Sequence, residues 1–239
     1  MLRAYAATDI GKKRRTNQDY AFASREPVGP LPNLYMVADG MGGHNAGDFA
    51  SRCAVETVVE SLSGAVGEPI SALRTAIADA NAVVNVIGNR QEEMRGMGTT
   101  LVAAVYLEGK LHVANVGDSR LYVIGDTIRQ VTRDHSLVEE MIRMGGLDPE
   151  KAKDHPDKHV ITRAIGIRAT VKADFFSEDL ADGEKVLLCS DGLSNMLSDS
   201  EIYKIVKEAA DPEEGARALI QAANQNGGED NIAVVLITP

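Results

Sequence analysis

The stretch MVADGMGG, residues 36–43, is an apolar run that ends in Asp39 and places glycine at three of the next four positions. The run is typical of a buried strand, and Asp39 stands where that strand would end. Gly40, Gly42 and Gly43 leave almost no side-chain volume beside the carboxylate, which indicates that another group approaches the backbone closely. A phosphate, a metal ion and a tight turn into the next helix are the candidates for that group.

Composition restricts the class of protein. The chain has 239 residues, 44% of them hydrophobic, without a Pro/Gly/Ser-rich linker, so we expect one domain over residues 1–239. A net charge of −10, with no basic cluster beyond KKRR at 12–15, argues against nucleic-acid binding. Without an export signal, an apolar span of about 18 residues or a disulfide framework, we expect a cytoplasmic protein that makes no membrane contact.

Hydrophobic periodicity predicts clustered strands and paired helices. Two successive amphipathic helices are predicted at Ala46–Leu62 and Ile70–Ile87, followed by an antiparallel meander at Thr99–Thr132. The other predicted strands are Arg3–Thr8, Tyr20–Ala23, Leu34–Ala38, Val171–Phe176, Lys185–Cys189 and Ile232–Ile237, and the other helices are Ser136–Met144, Asp199–Ala210 and Glu213–Asn224. This grouping favours an α+β sandwich over a doubly wound parallel sheet.

Residues 145–166, GGLDPEKAKDHPDKHVITRAIG, have weak periodicity, two prolines and many charges. Loops of this length are uncommon in compact domains unless they have a function. We therefore interpret the segment as a lid or recognition flap, with a tolerated surface insertion as the alternative.

Four aspartates, Asp39, Asp118, Asp191 and Asp230, stand at predicted strand ends beside glycine or a turn. One Asp-Gly pair is explained by turn preference alone, but four in this position are more specific. If the strand ends meet, four neighbouring carboxylates cannot all stay ionised without a cation. Oxygen ligands favour magnesium or manganese over zinc, and the histidines show no zinc-site spacing.

Other phosphate chemistries are excluded by spacing. A cysteine-dependent phosphatase needs an arginine six residues after its cysteine, but Cys53 is followed there by Val59 and Cys189 by Asn195. No G-x-x-x-x-G-K-[ST] loop for a nucleotide is present. Arg14, in TDIGKKRRTNQDY, has the planar donor fork that binds phosphate, although a solvated charged turn is the better explanation of this segment taken by itself.

Taken together, the motifs resemble the PPM family, the type 2C metal-dependent serine/threonine protein phosphatases, in its compact bacterial form. The segments that carry the resemblance, in the order of the family, are TDIGKKRRTNQD, VADGMGGH, GTTLVAAV, VANVGDSRLY, TRDHS, HVITRAIG, CSDGLSNML and GGEDNIAVV. The resemblance implies a four-layer α/β/β/α sandwich, with two antiparallel sheets flanked by helix pairs and a dinuclear metal centre at one end.

The resemblance also assigns the site residues. Asp39 would bridge two Mn²⁺ or Mg²⁺ ions, Asp191 and Asp230 would complete the ligands of the first ion, and the backbone carbonyl of Gly40 would serve the second. Arg14 would bind the substrate phosphate. Arg14, Asp39 and Asp191 are therefore the predicted catalytic residues.

Around these residues, Gln18, Asp19 and Asn231 would form an outer shell, Gln18 standing where many relatives have glutamate. Met41 replaces the histidine that eukaryotic relatives use as a proposed general acid, and His44 need not face the leaving group. Asp118, with Asp191, would bind a third, weaker metal ion that could supply the proton.

The activity implied is hydrolysis of phosphoserine and phosphothreonine in proteins by in-line attack of a metal-bridging water or hydroxide. The implied partners are phosphoproteins and a cognate Ser/Thr kinase that the enzyme opposes, and we expect a monomer. Two alternatives are a catalytically idle relative that binds phosphoproteins or senses metal, against which the complete acid set argues, and a hydrolase of small phosphate esters, which uses the same chemistry.

Overall fold

Two antiparallel sheets form the centre of the structure, a computed structural model that describes residues 2–43, 46–148, 151 and 155–238. The first sheet contains, in spatial order, β1 (Arg3–Asp9), β11 (Ile232–Thr238), β10 (Lys185–Cys189), β7 (Arg120–Ile124) and β8 (Ile128–Gln130). The second contains β2 (Asp19–Ser24), β3 (Leu34–Met41), β5 (Leu101–Leu107), β6 (Lys110–Val116) and β9 (Asp174–Asp179), and the short β4 (Gly98–Thr99) pairs with the end of β3.

Helices cover the outer face of each sheet. The helices among the described residues are α1 (Ala46–Ser63), α2 (Pro69–Arg90), α3 (Leu137–Arg143), α4 (Asp191–Ser194), α5 (Asp199–Glu208) and α6 (Pro212–Gln225), with a 3₁₀ turn at Glu92–Met94. The start of α5 is fixed by a capping box between Ser198 and Glu201, and α6 begins at Pro212 behind the N-cap Asp211. These caps fix the residues at which the two helices start, and both helices pack on the first sheet.

The central strands of both sheets are buried on both faces, which explains why the sequence of β11 is apolar throughout. Ile232, Val234 and Leu236 pack in the core beneath α5 and α6, whereas the alternating Val235 and Ile237 pack in the core between the sheets. A third core lies between α1, α2 and the second sheet. Three cores separate four layers, so the predicted α/β/β/α sandwich is confirmed.

By length and composition alone, α2 is apolar enough to cross a membrane. Its buried side chains, however, include Leu73, Ile77 and Val84 in the core shared with α1 and the second sheet. Packing against protein therefore explains its apolar face, as in other core helices.

The predicted continuous meander at Thr99–Thr132 is wrong at one point. The hairpin of β5 and β6 lies in the second sheet, but β7 and β8 belong to the first. The chain crosses between the sheets at Gly117, whose φ of +107° and close approach to Thr100, 2.5 Å from an added Cβ to Cγ2, exclude a side chain. The crossover carries Asp118 to the end of the sandwich instead of into a hairpin.

The strand predicted at Val171–Phe176 begins later, at Asp174, and it follows a segment whose backbone is held by α2. Asn81 of α2 donates through Nδ2 to the carbonyls of Arg168 and Ala169 at 3.1 and 3.2 Å. β9 then pairs with β6 from Asp174 onward. The remaining predicted strands and helices are present with boundaries that differ by a few residues.

The predicted flap, residues 145–166, is anchored at its C-terminal end. Ile161 forms a β-bridge with Ser136, and Ile165 forms one with Thr99. Residues 149, 150 and 152–154 of the predicted flap lie outside the described residues, as does His44. The segment from Ile161 onward is thus part of the body of the fold.

Candidate active site

Asp39 is fixed at the end of β3 by contacts to its backbone. It lies opposite Asp19 of β2 in the strand register. Its N–H donates to Thr100 Oγ1 at 2.9 Å, while its carbonyl accepts from the Thr100 N–H and from Thr99 Oγ1, both at 2.9 Å. The backbone that carries the Asp39 carboxylate is therefore fixed at the end of the sheet.

Gly40 confirms the close approach that the sequence predicts, and the approaching groups are protein carbonyls. A Cβ on Gly40 would lie 2.0 Å from the carbonyl oxygen of Gly47 in α1 and 2.7 Å from that of Gln18. By contrast, a Cβ on Gly43 would meet no atom within 4 Å. Crowding thus requires glycine at position 40, where the first turn of α1 closes on the strand end, but not at position 43.

Asp191 and Asp230 reach the same place from the first sheet. Asp191 follows β10 as the first residue of α4, and Asp230 precedes β11. A Cβ on Gly192 would lie 1.9 Å from the carbonyl oxygen of Asn231, so the two chain segments touch. Asp191 Oδ2 accepts from Asn195 Nδ2 at 3.0 Å, while its buried Oδ1 has no hydrogen-bond partner among the described residues.

Asp19 joins the two sheets at this end of the sandwich. Its Oδ2 accepts a hydrogen bond from Ser190 Oγ at 2.6 Å, and Ser190 Oγ in turn accepts from the N–H of Ala233 at 2.9 Å. Both Asp19 and Ser190 are buried. Asp19 therefore sets the position of the second sheet relative to the end of β10, directly behind Asp39.

Asn231 holds the N-terminal loop over the site. Its Nδ2 donates to the carbonyls of Ile10 and Thr16 at 2.9 and 3.0 Å, and its Oδ1 accepts from the N–H of Gln18 at 2.8 Å. The side chain of Gln18 reaches the carbonyl of Gly42 at 3.4 Å. Asn231 therefore acts on the site through the loop backbone.

The same loop carries Arg14, whose Nη2 donates to Asp230 Oδ2 at 2.6 Å. The other oxygen of Asp230 accepts from the N–H of Asn231 at 2.8 Å. Half of the Arg14 side chain is exposed, 51%, so the guanidinium is within reach of a ligand from solvent. The predicted phosphate-binding arginine thus lies beside the predicted acids and is already paired with one of them.

Asp118 occupies the crossover between the sheets and lines the same cleft. The crossover is held by a hydrogen bond of 2.7 Å between the hydroxyls of Thr100 and Ser119. On the other side, the backbone N–H of Gly117 donates to Nδ1 of the buried His135 at 3.1 Å, and the Gly117 carbonyl accepts from the backbone N–H of His135 at 2.9 Å. The position of Asp118 is therefore set by both neighbours in its turn.

Four of these acids line one open cleft of about 490 Å³, namely Asp39, Asp118, Asp191 and Asp230, together with Arg14, Gln18, Gly40 and Asn231. Burial raises the pKa of Asp19 to about 8 and that of Asp118 to about 7, and neighbouring carboxylates add to both shifts. Burial, followed by the same like charges, also raises the pKa values of Asp39 and Asp191. Burial and mutual repulsion therefore favour the protonated form of the four carboxylates whose pKa values are raised.

Residues 11–225 match the family described as protein phosphatase 2C. The chain belongs to the protein phosphatase 2C family. The predicted family and the predicted class of enzyme, a metal-dependent serine/threonine protein phosphatase, are thereby confirmed.

Bacterial relatives cover almost the whole chain. Serine/threonine phosphatase stp of Listeria innocua serovar 6a is 38% identical over 246 residues, spanning 99% of this chain and 95% of the relative. The crystal structure of Stp1 from Staphylococcus aureus has a TM-score of 0.92 at 33% identity and covers 100% of this chain and 95% of its own. The catalytic domain of PstP, solved with two manganese ions, has a TM-score of 0.86 at 32% identity, with coverages of 99% and 97%.

The residues in the cleft fit the divalent cations that this family uses. Asp191 Oδ1 is buried without a partner among the described residues, and the surrounding acids raise one another's pKa values. A hard cation would satisfy that oxygen and neutralise the repulsion. Within the described ranges, no three His, Cys, Asp or Glu side chains already stand at ligand spacing. Asp230 is not at ligand spacing in part because both its carboxylate oxygens accept hydrogen bonds, one from Arg14 and one from Asn231.

His135 has a structural role that its sequence did not indicate, although its motif TRDHS carries part of the resemblance. Because its Nδ1 accepts from Gly117, the ring proton lies on Nε2 and is donated to Asp174 Oδ2 at 3.0 Å. Arg163 donates to the other Asp174 oxygen at 2.9 Å. The histidine of the TRDHS motif was the sequence signal from which this connection from the crossover to β9 could have been found.

Proposed function

We propose that this cleft hydrolyses phosphoserine and phosphothreonine esters in proteins and that Asp39, Asp191 and Asp230 are its metal ligands, with the carbonyl of Gly40. The observation that supports this most is the convergence of Asp39 from the second sheet with Asp191 and Asp230 from the first. Divalent cations held there would lower the pKa of a bound water and neutralise phosphate charge. Asp39, between the other acids, is the residue suited to share its oxygens between two ions.

Arg14 would bind the substrate phosphate. Its guanidinium is half exposed at the mouth of the cleft and presents a planar fork of donors. The Asp230 carboxylate orients the fork through one nitrogen, Nη2. The remaining N–H groups of Arg14 can donate to phosphate oxygens and stabilise the negative charge of the reacting phosphoryl group.

The outer residues would keep the ligands in place. Asp19 fixes the sheets through Ser190, and Asn231 fixes the loop of Arg14 and Gln18. An amide at Gln18, instead of a carboxylate, removes one negative charge from this outer shell. We further propose two tight Mn²⁺ or Mg²⁺ sites and a weaker third site at Asp118 and Asp191.

The substrates would be phosphoproteins of a cognate Ser/Thr kinase that the phosphatase opposes. We also propose a single catalytic domain over residues 1–239, a cytoplasmic location and a monomeric state. The names of the relatives, serine/threonine phosphatases of bacteria, support the substrate class.

The function is tested by comparing substrates with Mn²⁺ present. We expect turnover of phosphoserine and phosphothreonine peptides, and a lower kcat/KM on p-nitrophenyl phosphate, which offers the cleft no polypeptide to bind. Turnover of small esters with none of phosphopeptides would favour the ester-hydrolase alternative. If neither substrate is turned over although calorimetry shows that the protein binds metal, the catalytically idle alternative would be favoured.

Asp118→Ala is expected to lower kcat on phosphopeptides by about 10²-fold, the usual scale for losing acid catalysis, while two tight metal sites remain in a calorimetric titration. The reason is that Asp118 would contribute to the weaker third site and not to the pair. Asp126→Ala is the matched control, because Asp126 follows Gly125 in the GDT turn but is exposed. Unchanged turnover, or loss of tight metal binding, would contradict the role given to Asp118.

A further inference from the structure

A second groove of about 530 Å³ opens beside the catalytic cleft. Its wall is the segment that leads from the predicted flap to β9, and it presents mainly apolar surface from Ile161, Ile167 and Val171. Ile167 is 46% exposed, so its side chain is accessible to a ligand in the groove.

The groove is continuous with the catalytic cleft. Met41 and Ile161 line both cavities. Met41 ends β3 two residues after Asp39, so it stands between the predicted metal ligands and the groove. A polypeptide with its phosphoresidue in the cleft would therefore pass over Met41 and Ile161 into the groove.

The wall of the groove is held rigidly by α2. Asn81, which is buried, accepts from the N–H of Gly166 at 2.9 Å and donates to the carbonyls of Arg168 and Ala169. Asn85 donates to the carbonyl of Gly166 at 2.8 Å. Because the wall is ordered in advance, a ligand would not have to fix it on binding.

The charge of the groove is opposite to that of the chain. Its lining, among the residues that the structure describes, includes Arg163, Arg168 and Lys172 and no Asp or Glu, although the chain carries a net charge of −10. Arg163 is paired with Asp174. Within the described part of the chain, neither Arg168 nor Lys172 takes part in an ion pair. Two exposed cations thus border an apolar surface.

We propose that this groove binds the substrate polypeptide next to the phosphorylated residue, taking an apolar side chain against Ile161, Ile167 and Val171 and an acidic side chain at Arg168 and Lys172. The proposal rests on the proposed phosphatase function and names its preferred substrates. Phosphoproteins with mixed apolar and acidic residues beside the phosphoserine or phosphothreonine match both the surface and the charge of the groove.

The first test compares two phosphothreonine peptides of equal length in the wild-type enzyme with Mn²⁺. One carries Leu and Glu on both sides of the phosphothreonine, and the other carries Ser at those positions. We expect kcat/KM to be about tenfold higher for the first, mainly through a lower KM, because exposed ion pairs and partial burial of one apolar side chain each contribute modestly.

The second test uses variants of the groove. Arg168→Ser combined with Lys172→Ser should reduce the preference about three- to fivefold by raising KM for the Leu/Glu peptide, and Ile167→Ser should reduce it independently. Turnover of p-nitrophenyl phosphate should stay within about twofold, because a small ester does not reach the groove. The control is Arg25→Ser combined with Lys204→Ser, which makes the same charge change at exposed positions outside the groove.

Several results would overturn the proposal. Equal kcat/KM for the two peptides would refute the groove while leaving the phosphatase function intact, whereas no turnover of either would refute both. Equal losses on p-nitrophenyl phosphate and peptide would show that the segment supports the catalytic cleft instead. A change in molar mass by light scattering in the groove variant, absent from the control, would identify a second copy of the chain as the occupant.

Discussion

Asp39→Asn is expected to lower kcat/KM on phosphothreonine peptides by at least about 10³-fold while leaving a folded protein. The amide cannot bridge two cations, and losing several kcal/mol of charge stabilisation corresponds to a rate loss of this size. Its backbone contacts to Thr99 and Thr100 do not involve the replaced group. Steady-state kinetics and circular dichroism measure the two effects separately.

Asp39→Asn is also expected to change how the unfolding free energy depends on pH. The pKa of Asp39 is raised by burial and by Asp19 and Asp191, so the folded protein keeps a proton that the unfolded chain releases above the ordinary value of 3.8. The unfolding free energy of the metal-free wild type should therefore fall as pH rises above about 4, and this slope should be smaller in Asp39→Asn. Asp182→Asn, in the exposed Asp182-Gly183 turn, is the control. Unfolding of Asp39→Asn under all conditions would assign Asp39 a structural role only.

Removing divalent cations by chelation is expected to abolish phosphopeptide turnover, and adding Mn²⁺ or Mg²⁺ should restore it. Oxygen ligands with several waters hold these ions weakly enough for a chelator to compete. Added Mn²⁺ should also raise the melting temperature of the wild type, because a ligand of the folded state stabilises it by mass action.

The rise in melting temperature should be smaller in Asp39→Asn and unchanged in Asp182→Asn, which separates binding in the cleft from binding elsewhere on an acidic surface. Full turnover by protein shown to be metal-free by elemental analysis would contradict the two-metal assignment. A melting temperature that rises equally in both variants would place the ions outside the cleft.

The sequence was sufficient for most elements and for the position of the acids at strand ends, whereas only the resemblance to the family implied that these ends meet. Apolar runs that stop at Asp39 and Asp191, and one that starts after Asp230, located three strand ends, and the ordered motifs resembled one family. Helix boundaries were also predictable, because Ser198 and Pro212 are local capping signals. These features depend on neighbours in the chain.

Contacts between distant segments were not predictable in this way. The GDS and GDT turns look alike, yet only GDS crosses between the sheets, since Gly117 packs on Thr100. Asn81 appears in sequence as an ordinary polar position of a helix, and only the fold brings Arg168 to it. The pairing of Arg14 with Asp230 joins residues 216 positions apart and has no local signal.

Because the acids are divided between the two sheets, the affinity of the site for a cation depends on how the sheets pack against each other. Asp39 is carried by one sheet and Asp191 and Asp230 by the other, and a cation of the size of Mg²⁺ requires its oxygens at about 2 Å. If one sheet shifted relative to the other by much less than the width of a side chain, the oxygens would no longer lie at these distances from the cation. Trimming Val102 or Leu188, which pack between the sheets, should thus weaken cation affinity even though neither residue lines the cleft.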